Sequence, residues 1–176
     1  MLQKKTIKKK LKVWKEIDFG KLRLKKTRDV FSFIDKKNIY ISPWIIDIFK
    51  NKKNKFILPK FKVYLYIIKV SDLGFKGPTT LEKIYKKLKQ NEFKLVNPVI
   101  ALVARKYYLN QKKGEWLRFA TPFNSMIDQD NVPHLPKLGS ALGKLFIETY
   151  WSYKKAIFHP HNQFVVELND RKKNKN

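Results

Sequence analysis

The chain has 176 residues, 43% of them apolar and 31% charged, enough for one compact core and too few for two ordinary domains. Forty Lys and Arg against fourteen Asp and Glu leave a formal net charge of +26, which a neutral cytosolic enzyme does not need for solubility and which points to a polyanionic partner. Cysteine is absent, excluding a disulfide scaffold, Cys-ligated zinc, an Fe–S cluster and a cysteine nucleophile.

Residues 1–12 hold Lys4, Lys5, Lys8, Lys9, Lys10 and Lys12, no acid and few apolar side chains. Too little surface is available there to offset the entropy of ordering, so a disordered basic arm is expected. The same lysines interrupt the place where a signal peptide carries its apolar region. A cytoplasmic location is therefore expected, with an organelle of an AT-rich genome as the alternative. No window approaches the roughly 20 apolar residues of a membrane span, and no membrane partner is expected. Lys outnumbers Arg by 35 to 5, as AT-rich coding produces. Glu and Asp codons tolerate that bias about as well, so the shortage of acids is not explained by it. The charge is graded, with 19 basic against 5 acidic residues in 1–60, 12 against 4 in 61–115 and 9 against 5 in 116–176.

Val13 to Ile17 alternates like a short strand, and Thr27 is placed to cap a helix bearing Val30, Phe33 and Ile34. Ser42-Pro43-Trp44 starts a second helix, with Pro at the first helical position and Trp44, Ile45, Ile48 and Phe49 at helical spacing. Lys62 to Val70 is rich in β-branched and aromatic residues between Pro59 and Asp72-Leu-Gly, which predicts a central strand. Thr79 with Glu82 fits a capping box, and the helix that follows sets Leu81, Ile84, Tyr85 and Leu88 opposite Lys83, Lys86, Lys87 and Lys89. A third helix follows Asn97-Pro98, so 79–109 reads as helix, turn, helix. From Glu115 the period shortens, and Glu115 to Pro122, Leu145 to Trp151 and Phe164 to Leu168 read as strands of a mostly antiparallel sheet. Turns are expected at Asp128 to Asn131, where Asn131 tolerates a left-handed backbone, and across Gly139-Ser-Ala-Leu-Gly. The tail 170–176 is unpatterned and basic.

Trp44-Ile-Ile-Asp-Ile, Asp72-Leu-Gly-Phe, Thr80-Leu-Glu-Lys-Ile-Tyr, Arg105, Tyr108, Gln111 and Gly114-Glu-Trp-Leu together resemble a family of small uncharacterised bacterial proteins, over residues 13–168. The resemblance implies a helical N-terminal region, a strand with a Leu-Gly-Phe turn, two helices, a Gly-Glu-Trp-Leu strand and a final aromatic strand. It implies no activity. The chain departs from that pattern at Asp130-Asn131, where the family has Asp-Gly, and at Gly139-Ser-Ala-Leu-Gly, where it has an acid-rich loop; His159-Pro160-His161 replaces an aromatic, a Pro and an Asp. The first two changes remove negative charge and suggest recruitment to a polyanion.

Asp128, Asp130, His134, His159 and His161 are the residue types of an imidazole and carboxylate metal site, but their spacing matches no metal signature and no metal is expected. Glu115 beside Trp116 has the form of a carboxylic acid raised by an aromatic wall, yet no nucleophile, second carboxylate or phosphate loop supports it, and a structural pairing with Arg105 is the simpler expectation. Trp116 is expected in a core with Leu88, Val103 and Phe164. Trp44, Phe49, Tyr64, Tyr66 and Trp151 also fall on apolar faces, which leaves Trp14, Phe56 and Tyr153 as stacking candidates.

These features predict a single α+β domain over 13–169, with N-terminal helices, a central strand, a helix pair, a C-terminal antiparallel sheet and disordered basic tails. The expected function is nucleic-acid binding without a cofactor, to RNA in preference to DNA and with a ribosome-like particle as a suitable partner. Lys4, Lys5, Lys8, Lys9, Lys10, Lys12, Trp14, Lys83, Lys86, Lys87, Lys89 and Arg105 are the candidate contacts. Three alternatives stand beside it: an enzyme or effector of the uncharacterised family, a module docking an acidic protein, and a winged-helix DNA reader whose recognition helix is 97–109.

Overall fold

Segments with apolar side chains at alternate positions form strands, and most of them join one sheet. The computed structural model describes residues 11–34 and 38–168. Its strands are β1 (Lys15–Asp18), β2 (Ile39–Ile41), β3 (Lys62–Lys69), β4 (Thr79–Thr80), β5 (Phe93–Lys94), β6 (Trp116–Phe119), β7 (His134–Ala141), β8 (Lys144–Trp151), β9 (Ile157–Phe158) and β10 (Gln163–Leu168). Its helices are α1 (Asp29–Phe33), α2 (Pro43–Lys50), α3 (Leu81–Gln90) and α4 (Pro98–Lys106). The main sheet runs β1-β3-β10-β6-β7-β8-β2, with β5 also paired to β10, and β4 and β9 form a separate two-stranded ribbon.

The chain is thus an α+β single domain, but the sheet is neither confined to the C-terminal third nor purely antiparallel. β10 runs parallel to β6 and β2 parallel to β8. The predicted central strand is β3, paired on both sides by β1 and β10.

The pleat sends alternate residues to two cores. Ile17, Leu65, Leu117, Phe119, Leu138, Ile147 and Val165 join α4, Val30 and Ile34 of the α1 segment, and Ile45 and Ile48 of α2 in the first. Ile68, Leu135, Phe164 and Val166 join Phe158 and the Leu81, Ile84, Tyr85 and Leu88 face of α3 in the second. Burying a side chain of that size contributes roughly 1.5–3 kcal/mol, so both faces are needed to hold the sheet.

Several local expectations are corrected. Thr27 does not cap α1: its hydroxyl donates to the Phe56 carbonyl, while the Asp29 carboxylate accepts from the Lys25 and Lys26 N–H groups. The cap of α3 is Thr80, whose hydroxyl accepts from Lys83 N–H, and Thr79 lies one residue too early, in β4. α4 begins as predicted, with the Asn97 side chain accepting from Val99 N–H. Every residue of α4 from Pro98 to Arg105 is buried, so this helix cannot enter a DNA groove, and β5 interrupts the expected short turn before it.

Gly139 is not in a turn. It lies inside β7, where a Cβ would collide with the Trp116 ring at Cζ3, so only glycine leaves room for that ring. Trp116 is accordingly half-buried over Gly139 beside Phe146, at 6.1 Å between centroids, and outside the expected core with Leu88. The hairpin turn is Leu142-Gly143, with φ of 49° and 72°. Asn131 does take a left-handed backbone, with φ of 62°.

Candidate nucleic-acid interface

α3 forms because its apolar residues recur three and four apart, and the same geometry collects its lysines on the other side. Lys83, Lys86, Lys87 and Lys89 are all exposed. Glu82, the one acid in the helix, lies in the first turn, where it complements the helix dipole. The helix head is tied to a distant loop: Leu81 N–H donates to the Ala156 carbonyl at 2.9 Å and Glu82 N–H to that of Lys154 at 3.0 Å. The β4–β9 ribbon fixes the same junction through Thr79 opposite Phe158 and Thr80 opposite Ile157. Lys154 and Lys155, both exposed, are thereby carried to the head of the lysine helix, a placement that separation in the sequence conceals.

This loop also bounds an open hollow of about 640 Å³, lined by residues 150, 151 and 153–157. Trp151 is 62% exposed and Tyr153 47%. Contrary to the expected burial, Trp151 lies at the end of β8, opposite His134, with its ring in solvent. Trp44, also outside the core expected for it, is 53% exposed and tilts over the His134 ring at 5.6 Å between ring centroids. Behind the hollow, the Arg118 guanidinium faces the Tyr150 ring at 5.2 Å and that of Phe158 at 5.7 Å. Burial holds Arg118 below the ordinary guanidinium range.

The predicted contacts divide. Lys4, Lys5, Lys8, Lys9 and Lys10 lie outside the described residues, as does the tail 170–176. Lys12 is exposed, and Leu11 before it packs against the second core. Trp14 is not free to stack on a base, since its ring is edge-on to Tyr108 at 5.0 Å and to Phe119 at 6.3 Å. Phe56 is committed in the same way, stacked on Phe49 at 4.1 Å. Tyr153 alone of the three stacking candidates is exposed.

Arg105 cannot reach a phosphate, being 0% exposed. Its Nη1 donates to Gln111 Oε1 at 2.6 Å and to the Gly139 carbonyl at 3.4 Å. Gln111 Nε2 in turn donates to the Glu115 and Leu138 carbonyls. The Glu115 carboxylate accepts from Tyr108 Oη at 2.6 Å and makes no direct pair with Arg105. Burial pushes Arg105 down to about 10, against the pull of Tyr108 and Glu115. Burial first, then the hydrogen bond to Glu115, pushes the Tyr108 phenol up to about 12. These four residues lock the segment after α4 to β6 and β7.

Of the imidazole and carboxylate set, Asp128 and His134 meet at 3.1 Å, whereas His159 and His161 stack on each other in an exposed turn. Burial acts to raise the Asp128 carboxyl, but the hydrogen bond with His134 and those from the Val132 and Asp130 N–H groups outweigh it and hold it low. Among the described residues no group of three or more His, Asp or Glu is placed to hold a metal ion, and no helix is long and apolar enough to cross a membrane. No protein-family model matches the chain, and comparison with curated proteins and with solved structures gives no match either.

Proposed function

We propose that the chain binds nucleic acid, RNA in preference to DNA, and holds it by phosphate contacts from Lys83, Lys86, Lys87 and Lys89 together with Lys154, Lys155, Lys12 and the lysines of residues 1–10. The observation that carries the reading is the junction of α3 with the loop after β8: backbone bonds bring Lys154 and Lys155, far off in sequence, to the head of the helix that carries Lys83, Lys86, Lys87 and Lys89, and Trp151 and Tyr153 stand exposed beside those two lysines in the chain. A lysine is a point charge without the planar fork that reads base edges, so contacts of this kind position the partner and carry little sequence information. RNA fits better than DNA because exposed aromatics beside lysines suit unpaired bases, which RNA presents in loops and ends. A structured RNA or a ribosome-like particle is the class of partner such a surface serves.

The test is the salt dependence of affinity. For six to ten phosphate contacts, binding should fall roughly 10³- to 10⁵-fold between 50 and 200 mM salt, with little dependence on base sequence. Replacing Lys83, Lys86, Lys87 and Lys89 by Gln should flatten that slope. A salt-independent affinity, or a slope the quadruple variant leaves unchanged, overturns the proposal.

A further inference from the structure

A water-facing cluster of large aromatic side chains is unfavourable unless something covers it, and the charged side chains that line the hollow at residues 150–157 are Lys154 and Lys155. Trp151, Tyr153 and Ile157 are each about half or more exposed and line one hollow with Lys154 and Lys155. Among the described residues, no acidic side chain lines it. Its Tyr150 wall is backed by Arg118 and approached by Lys137 Nζ at 5.8 Å from the ring centroid. An occupant that matches must be planar and apolar on its faces and anionic along its edge, which describes a nucleobase on its sugar-phosphate.

We infer that the 150–157 hollow is a stacking subsite for unpaired bases of single-stranded RNA, with Trp151 and Tyr153 as the stacking rings and Lys154 and Lys155 holding the adjoining phosphates. This rests on the nucleic-acid reading above and adds a strand preference to it. A duplex offers phosphates to α3 but no free base face, so only a single strand gains from the rings.

The experiment compares a single-stranded uridine-rich oligonucleotide with a perfectly paired RNA hairpin of equal phosphate number, at one salt concentration, on the full chain and on Trp151→Ala/Tyr153→Ala. The variant should lose about tenfold or more of its affinity for the single strand and less than about twofold for the hairpin, since stacking is the contribution removed. Trp151→Tyr, which retains a ring, should keep most of the single-strand affinity and guards against a folding defect in the double variant. Equal losses for both ligands, or none, overturn the subsite while leaving phosphate binding intact. A wild-type chain that binds neither RNA overturns both readings, as does one that binds neither but is captured by anionic phospholipid vesicles.

Discussion

At the scale of single residues, the contact between Tyr108 and Glu115 is a half-buried hydrogen bond to a carboxylate. The phenol donates to a carboxylate, and burial together with that bond holds its proton up to about 12. The unfolded phenol titrates near 10, so its folded value is raised, and the stability this lends is complete below about pH 10 and is lost as pH rises from about 10 towards 12. Glu115→Gln should keep a hydrogen bond while deleting the charge, so the highest-titrating tyrosine transition measurable below about pH 12.5 by ultraviolet absorbance should move down in the variant. An unmoved titration would show that burial alone sets it. Arg105, Tyr108, Gln111 and Glu115 lie within eleven residues of one another, and that proximity makes their meeting legible in the sequence. Which donor finds which acceptor is not legible there, because Gln111, an uncharged residue, intervenes where a direct Arg105–Glu115 pair is expected. Trp44 and Trp151 depart from expectation for a different reason. Residue type favours burial for Trp, but a position in the first turn of α2 or at the last residue of β8 decides otherwise.

At the scale of elements, β3, α3, β8 and β10 follow directly from periodicity, whereas β7 does not announce itself. Its Pro136 and Gly139 are residues that argue against a strand interior, and the glycine there serves the Trp116 ring rather than a turn. α4 is legible as a helix but not as a buried one, since its single charged pair, Arg105-Lys106, sits at the C-terminal end where charge suits the dipole whether or not a groove is read. The β7–β8 hairpin carries a testable defect. Its two-residue turn requires a left-handed backbone at both positions, yet the first is Leu142, which is 87% exposed. Such a turn favours Asn-Gly, and an ordinary L-residue in that conformation costs roughly 1–2 kcal/mol. Leu142→Asn removes a side chain that packs on nothing, so it should stabilise the protein by about 1 kcal/mol and raise the melting temperature by a few degrees. A lower melting temperature would mean that Leu142 contributes packing that its exposure conceals.

At the scale of the molecule, the sheet separates two tasks. One face takes α1, α2 and α4 in the first core, and the other takes α3, whose outer side is lysine. The charge is densest in residues 1–60, and Leu11 packs against the second core, to which α3 also contributes. The packing of Leu11 sets apart what two truncations should do. Deleting residues 1–10 takes away five lysines but spares Leu11, so the melting temperature should stay unchanged while RNA affinity falls. Its dependence on salt should also flatten, by about 0.7–0.9 log units per log unit of salt for each phosphate that the deleted lysines no longer neutralise. Deleting two residues more removes Leu11 from the second core and should lower the melting temperature as well. The pair of truncations separates charge from packing: if the shorter deletion already destabilises the fold, residues 1–10 belong to the body, and if it leaves affinity and salt slope untouched, their lysines take no part in holding RNA.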